Sequence, residues 1–415
     1  MELLSGGQGQ AVSLFMKKIF KNSLILLIVS SGFLMLLAGC TRNTTQTQPS
    51  EAITEVTPTQ PLQPQPYIKT AQLVAVGDIM MHGAQIKSGY NPTTKTYNYD
   101  HFFTEVKGIL SFGDWIIGNL ETTLSGPETG YTGYPLFNAP DSLADAIKKA
   151  GFNIISTTNN HSLDRGEKGV LKTLEKVKKR GLIPVGTAAS AEESAKIVIV
   201  EKNNISMAIL GYSYGTNGIP IPKGKDYLVS LINPKKMIQD IEKARKTGVD
   251  IVTVILHFGL EYQRQPNAEQ KALVKQLVNA GADIILGSHP HVVQPYQIFE
   301  KTEESGKLKK AVVIYSMGNF ISNQREKYRD LGVIFKVNLS KRFPDETTEI
   351  KDVKAIPTWV HRYWKNGKYQ FRILPIEQVL KTRKDPLLST SDYQQLETDL
   401  TNMKRHLNSF QEKSQ

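Results

Sequence analysis

The sequence predicts an α/β body whose sheets are covered by helices. Two observations carry this expectation. From Gln72 onward, short β-branched runs alternate with amphipathic segments, and the later part of the chain reads mostly as β; strands linked by helices bury the apolar stripe of each helix on a sheet face. The composition allows such a body. With 415 residues, 40% of them apolar and 22% charged, the chain is long enough for one large domain or two ordinary ones. Wholesale disorder is excluded, because it needs few hydrophobes and much charge. A multi-span membrane protein is excluded as well, since the mean hydropathy is -0.29 and there is one long apolar run.

That run comes first. Lys17, Lys18 and Lys21 precede a charge-free, mostly apolar stretch from Ser23 to Gly39, the pattern of a secretory signal. It ends in Leu37-Ala38-Gly39-Cys40, which resembles the lipobox of bacterial lipoproteins. In that class the cysteine is lipid-modified and becomes the first residue of the mature protein. Cys40 is the sole cysteine, so it makes no intramolecular disulfide, and it stands where lipidation needs a thiol. The alternative is an uncleaved signal anchor with an incidental cysteine. Residues 1–15 fit neither a signal nor a fold, and Met16 is the expected start of translation. After residues 1–39, residues 40–67 are a Thr/Gln/Pro-rich tether with almost no large hydrophobe, unable to bury enough surface to offset its ordering entropy. The folded core is expected over 68–323, completed by a β-rich segment and terminal helix over 324–415.

Strands are expected at Leu73–Val76, Trp115–Ile117, Ile154–Thr157 and Ile183–Val185. Leu143, Ala146, Ile147 and Ala150 sit at helical spacing, as do Leu171, Leu174 and Val177. Lys196–Val200 and Ser206–Gly211 flank Asn203-Asn204, a hairpin signal. A helix over Pro234–Lys246 leads to a strand at Ile251–Leu256, and a helix over Glu269–Asn279 to one at Ile284–Leu286. Further strands are expected at Gln297–Phe299, Ala311–Tyr315, Val333–Leu339 and Lys354–Trp359, and a last helix over Asp392–Phe410.

Five polar clusters follow apolar strands. They are Gly77-Asp78 with His82, Gly118-Asn119-Leu120-Glu121, Asn159-Asn160-His161-Ser162-Leu163-Asp164, His257-Phe258-Gly259 and Gly287-Ser288-His289-Pro290-His291. Open α/β sheets hold ligands beyond the carboxyl ends of their strands, so one site can collect all five. Carboxylate, imidazole and amide oxygen together suit one or two divalent ions such as Mn, Zn or Fe. His289 and His291 can face different ions, and a carboxylate such as Glu121 can bridge them. Two ions a few ångströms apart can activate water and clamp a phosphate. His161 with Asp164 can orient an imidazole toward a leaving oxygen. Each cluster also has a plainer reading: a turn at Asp78, turn chemistry at Asn159-Asn160, a hydrogen-bonded core histidine at His257.

These motifs, with Tyr315-Ser316-Met317-Gly318-Asn319-Phe320, resemble the CapA family of capsule or poly-γ-glutamate synthesis proteins over about Leu73 to Asn323. The family's domain is similar to the calcineurin-like metallophosphatases, which implies a four-layer αββα sandwich. The resemblance implies metal ligation by Asp78, Glu121, Asn160, His257, His289 and His291, with catalytic roles for His161 and its partner Asp164. Glu121 stands where the phosphatases have a bridging aspartate. Met80 stands where they have a metal histidine, and His82 is offset from that place by two.

The resemblance also implies a role in making, exporting or attaching poly-γ-glutamate, or another anionic polymer, from a lipid anchor at Cys40 on the outer face of the bacterial cytoplasmic membrane, beside membrane polymer-synthase subunits. The formal net charge of +12 accords with an anionic polymer or acidic lipid. No nucleic-acid module is present in the sequence, and nucleic acid is not an expected partner. Two other readings stand beside the first: a secreted metal-dependent phosphoesterase or nucleotidase, and a non-catalytic polymer-binding or assembly module.

Overall fold

In chain order the described strands are Tyr67–Ile79 (β1), Tyr90–Asn91 (β2), Thr96–Tyr97 (β3), Trp115–Leu120 (β4), Ile154–Ser156 (β5), Ile183–Val185 (β6), Val198–Lys202 (β7) and Ile205–Ser213 (β8). They continue with Ile251–His257 (β9), Ile284–Ser288 (β10), Val293–Thr302 (β11), Leu308–Met317 (β12), Asn319–Ile321 (β13), Leu331–Phe343 (β14), Thr347–Lys365 (β15) and Lys368–Pro375 (β16). The computed structural model describes residues 65–410 apart from 303–305 and 307. The expected signal segment, Cys40 and the expected tether up to residue 64 lie outside the described residues.

The strands form two main sheets. The first has the order β16-β15-β14-β1-β4-β5-β6, with β13 added in parallel at the end of β1. The second has the order β11-β12-β10-β9-β8-β7. In the first, β1, β4, β5 and β6 are parallel. In the second, β8, β9, β10 and β12 are parallel.

Strand alternation separates the layers. Successive side chains of a strand point to opposite faces, so a strand buried on both sides feeds two cores. Leu73 and Ala75 of β1 pack with Met207, Ile255, Leu286 and Ile314 of the second sheet, between the sheets. Val74 and Val76 face the other way, toward Leu143 and Ile147 of the helix Ser142–Ala150. On the far side, Val252 and Val254 of β9 meet Met237 and Ile241 of Pro234–Lys246, and Val274 and Leu277 of Ala268–Ala280. The result is helix, sheet, sheet, helix, the four-layer αββα arrangement expected. Tyr393, Leu396, Met403 and Leu407 of the last helix, Thr390–Leu407, join the core between the sheets, and His406 Nε2 lies 3.0 Å from the Val293 carbonyl.

The Asn203-Asn204 turn joins β7 to β8, with φ of 53° and 61°. Both values are left-handed, which asparagine tolerates better than other side-chain-bearing residues. Several strands are longer than their sequence signal. β1 starts six residues before Leu73 and β15 runs on to Lys365, because register with a neighbour satisfies backbone groups whatever the side chains. β16 and the helix Ile376–Thr382 were not expected at all.

On β15, His361 is stacked between the rings of Trp359 and Tyr363 at 4.9 and 5.2 Å. Arg372 Nε donates to its Nδ1 at 3.0 Å. Burial, and then the Arg372 charge, push this imidazole from 6.5 down to about 4. A histidine with a depressed folded pKa is held neutral by the fold, so its stabilisation is full above the unfolded value and is lost as pH falls through the folded one. The melting temperature should therefore fall between pH 6.5 and about 4, and His361→Gln, which keeps an acceptor for Arg372, should fall less over the same window. Identical pH profiles for the two proteins would show that His361 carries none of this dependence.

Candidate metal centre

The parallel strands of both sheets end at one edge. Asp78 is in register with Asn119 across β1 and β4, and Ser288 with His257 across β10 and β9. Gly77 lets the sheets meet there. A Cβ at that position would lie 1.8 Å from the Gly318 carbonyl oxygen, so only glycine allows β1 to run against the turn between β12 and β13. Asp78 N then donates to Gly318 O at 3.0 Å. The carboxylate of Asp78 is turned toward the second sheet: Oδ1 accepts from Asn119 Nδ2 at 2.8 Å, and Oδ2 lies 3.2 Å from His291 Nδ1.

Glu121, just past the end of β4, is the middle of the cluster. It is fully buried, and neither of its carboxyl oxygens has a hydrogen-bond partner. Its Oε1 lies 3.6 Å from His257 Nε2 and 3.7 Å from His291 Nε2. Burial, reinforced by the Asp78 charge, raises its pKa well above the ordinary value. A buried carboxylate without a partner is costly. A cation is what such a group lacks.

The ligand atoms group in overlapping sets. Asp78, Glu121 and His291 form one; Glu121, His257 and His289 form a second; Glu261, His289 and His291 form a third. Glu121 is common to the first two. Asn160 Oδ1 adds an amide oxygen 2.8 Å from His257 Nε2. His257 and His289 are held neutral by burial, His257 well below its ordinary pKa and His289 near 4, so each ring keeps one unprotonated nitrogen at neutral pH. His289 Nδ1 is buried without a hydrogen-bond partner. These donors are compatible with divalent metal binding.

His289 and His291 do not reach the centre by strand alternation. β10 ends at Ser288, and both residues have left-handed backbones, with φ of 100° and 58°. A non-glycine residue held in that region costs free energy. Here it brings two imidazoles flanking a proline to one edge, with ring centroids 5.9 Å apart.

His161 and Asp164 stand on the loop after β5. Asp164 Oδ2 lies 2.7 Å from His161 Nδ1 and accepts from Phe137 N at 2.6 Å. An ionised carboxylate only accepts, so the pair keeps the proton on Nδ1. Phe137 meets the His161 ring edge-on at 4.6 Å.

His82 belongs to none of the ligand groups among the described residues. It precedes the helix Gly83–Gly89 and forms a capping box with Gln85. Burial lowers its pKa to about 4. Three neighbours carry no expectation from the sequence. Asn119 Nδ2 joins Asp78 to His257, at 2.8 and 3.2 Å. Asn319 Oδ1 meets His291 Nδ1 at 3.2 Å. Glu261 Oε1 lies 4.0 Å from His291 Nε2. Asn119 and Asn319 do lie inside motifs that the sequence singles out. Glu261 sits in an exposed loop past a strand end, with no local signal.

The comparisons with known proteins bear on this edge. The chain is 33% identical over 260 residues to the capsule biosynthesis protein CapA of Bacillus anthracis, covering 61% of this chain and 60% of that one. It is 31% identical over 299 residues to the PGA biosynthesis protein CapA of Bacillus subtilis (strain 168), covering 69% of this chain and 73% of that one. Among solved structures, the Haemophilus influenzae NAD nucleotidase aligns with a TM-score of 0.45 and 14% identity, over 81% of this chain and 68% of that one. The calcineurin-like phosphoesterase YfkN of Bacillus subtilis aligns with a TM-score of 0.39 and 15% identity, over 70% and 91%. The sequence pattern of the bacterial capsule synthesis protein PGA_cap matches residues 72–324, a span that holds all of the clustered ligands, and the chain belongs to that family.

Proposed function

We propose that this chain acts in the synthesis, export or attachment of poly-γ-glutamate capsule, with one or two divalent ions (Mn, Zn or Fe) at the strand-end edge. The observation that carries the reading is Glu121, a buried carboxylate without a hydrogen-bond partner, between imidazoles that come from the other sheet. Asp78, Glu121 and His291 would hold one ion; Glu121, His257 and His289, with Asn160, would hold the other. Bound there, such ions supply an activated water and a clamp for an oxyanion. The chain's own groups do the rest. His161, its Nδ1 tied to Asp164, leaves Nε2 for proton transfer at a leaving atom. The polymer reading is supported by the names of the two Bacillus relatives and by the +12 charge.

The second reading is a phosphoesterase or nucleotidase, which the His161–Asp164 pair also suits. Purified full-length protein, loaded with Mn²⁺, is expected to cleave a γ-linked glutamate oligomer. Cleavage of an aryl phosphate without any action on the oligomer would move the assignment to the second reading. Binding of oligomer without turnover of either would leave an assembly module.

The anchor belongs to the same proposal: Cys40 carries the lipid on the outer face of the cytoplasmic membrane, near polymer-synthase subunits. Cys40→Ser is expected to block lipidation and normal signal removal. A variant that still fractionates as a cleaved, membrane-bound protein would exclude lipid anchoring at Cys40.

A further inference from the structure

Next to the metal centre the loop 322–330 carries positive charge that the fold leaves poorly matched. Asn319, which contacts His291, donates through Nδ2 to Gln324 Oε1 at 3.0 Å and to Arg329 O at 2.7 Å. Asn323 N donates to His82 Nδ1 at 3.4 Å. The loop is thus tied to the centre through Asn319 and to the helix cap at His82. Arg325 follows directly. Its Nη1 donates to Val360 O at 2.6 Å and lies 3.4 Å from Asp330 Oδ2, while Nε and Nη2 are buried without a partner. Asp330 is already shared, because Trp359 Nε1 donates to the same oxygen at 3.1 Å.

The neighbouring cation is Arg362 of β15, whose charge bears on Arg325. Its contacts among the described residues are Asn323 Oδ1, at 3.2 Å, and the face of the Tyr369 ring, at 4.6 Å. No carboxylate is among them. Two neighbouring guanidinium groups, of which only Arg325 meets a carboxylate, and two buried Arg325 donors left unmet form a site short of an anion. A guanidinium fork matches a carboxylate bidentately.

The geometry points to Arg362, backed by Arg325, as a subsite for a carboxylate of the same polymer chain whose reacting bond lies at the metal centre. The inference rests on the polymer reading, and it deepens it. A γ-linked glutamyl chain carries a free carboxylate on every residue, so a segment held at the centre brings further anions to the loop. The approach of one supplies the counter-charge that Asp330 provides only in part.

The test uses full-length protein in detergent with Mn²⁺. Three probes are compared: a γ-linked glutamate oligomer, the γ-linked isoglutamine oligomer of equal length, in which each free α-carboxylate is a carboxamide, and inorganic phosphate. Wild type is expected to prefer the glutamate oligomer over the neutral one. Arg362→Gln and Arg325→Gln should each weaken it by about tenfold or more, the scale of a charge-assisted contact. Arg362→Lys should recover part of the loss, since it keeps the charge without the fork. The Mn²⁺-induced rise in melting temperature should be unchanged in Arg362→Gln, which shows an intact fold and centre. Equal affinity of wild type and Arg362→Gln for the glutamate oligomer would overturn the subsite and leave the polymer reading standing. A wild type that does not distinguish the two oligomers would overturn the polymer reading, and the subsite with it. Weakened phosphate binding in the variants, with the oligomer unaffected, would reassign the pair to a phosphoester and defeat the carboxylate assignment.

Discussion

Saturating divalent metal is expected to stabilise the full-length protein by about 2.7 kcal/mol at a hundredfold excess over the dissociation constant, and His289→Ala with His291→Ala to remove most of that increment. The ligands come from Asp78 to His291, on two sheets, so the set is assembled only in the folded chain, and binding then adds to folding stability. Alanine suffers at the left-handed φ of 100° and 58° much as histidine does. The loss therefore reports ligation rather than relief of backbone strain. Glu121→Gln sharpens the test. Burial already pushes Glu121 toward its neutral form, so the neutral amide should cost the metal-free protein little, yet it removes the carboxylate common to two ligand groups. His361→Ala, away from the centre, should keep the metal response. Calorimetry with Mn, Zn, Fe, Mg and Ca decides the matter. No shift for wild type with any of them would remove the metal centre and leave these histidines as hydrogen-bonding groups.

His161→Ala is expected to behave differently, with metal response and stability largely retained and any turnover reduced by roughly 10²–10⁴-fold. Among the described residues His161 stands in none of the ligand groups; its Nδ1 lies 2.7 Å from Asp164 Oδ2, and Asn217 Nδ2 is 3.5 Å from both ring nitrogens. Asp164→Asn should lower turnover too, because an amide no longer holds the imidazole in one tautomer. It should also lower stability, since Asp164 is buried and accepts the Phe137 backbone N–H. Turnover on the γ-linked oligomer and on an aryl phosphate, read beside the metal-dependent melting shift, separates the roles. Loss of the metal shift in His161→Ala would make it a ligand.

Much of the fold was legible because it rests on local pattern. The helix Pro234–Lys246 was read to its ends: Asn233 accepts from Lys236 N, Pro234 opens the first turn, and Met237, Ile241 and Ala244 share one face. The Asn203-Asn204 hairpin was legible for the same kind of reason. β16 was not. Lys368 and Arg372 break its apolar run, and its place depends on pairing with the long β15.

At the site, residue types and their position after apolar strands could be read directly, because strand ends and turn residues are local features. Asp78, Glu121, Asn160, His161, Asp164, His257, His289 and His291 were all named from the sequence. Their partners were a different matter. That Glu121 is buried and unmatched, that Asn119 joins Asp78 to His257, 138 residues on, and that Glu261 lies beside His291 each depend on segments apart in the chain. The sequence by itself determined the layers, through the period-two burial of strands and the 3.6-residue period of helices, and it determined which chemical groups stand at the strand ends. Only the tertiary structure decided which of those groups meet, because burial, charge neighbours and unmet hydrogen bonds are properties of the packed interface between two sheets.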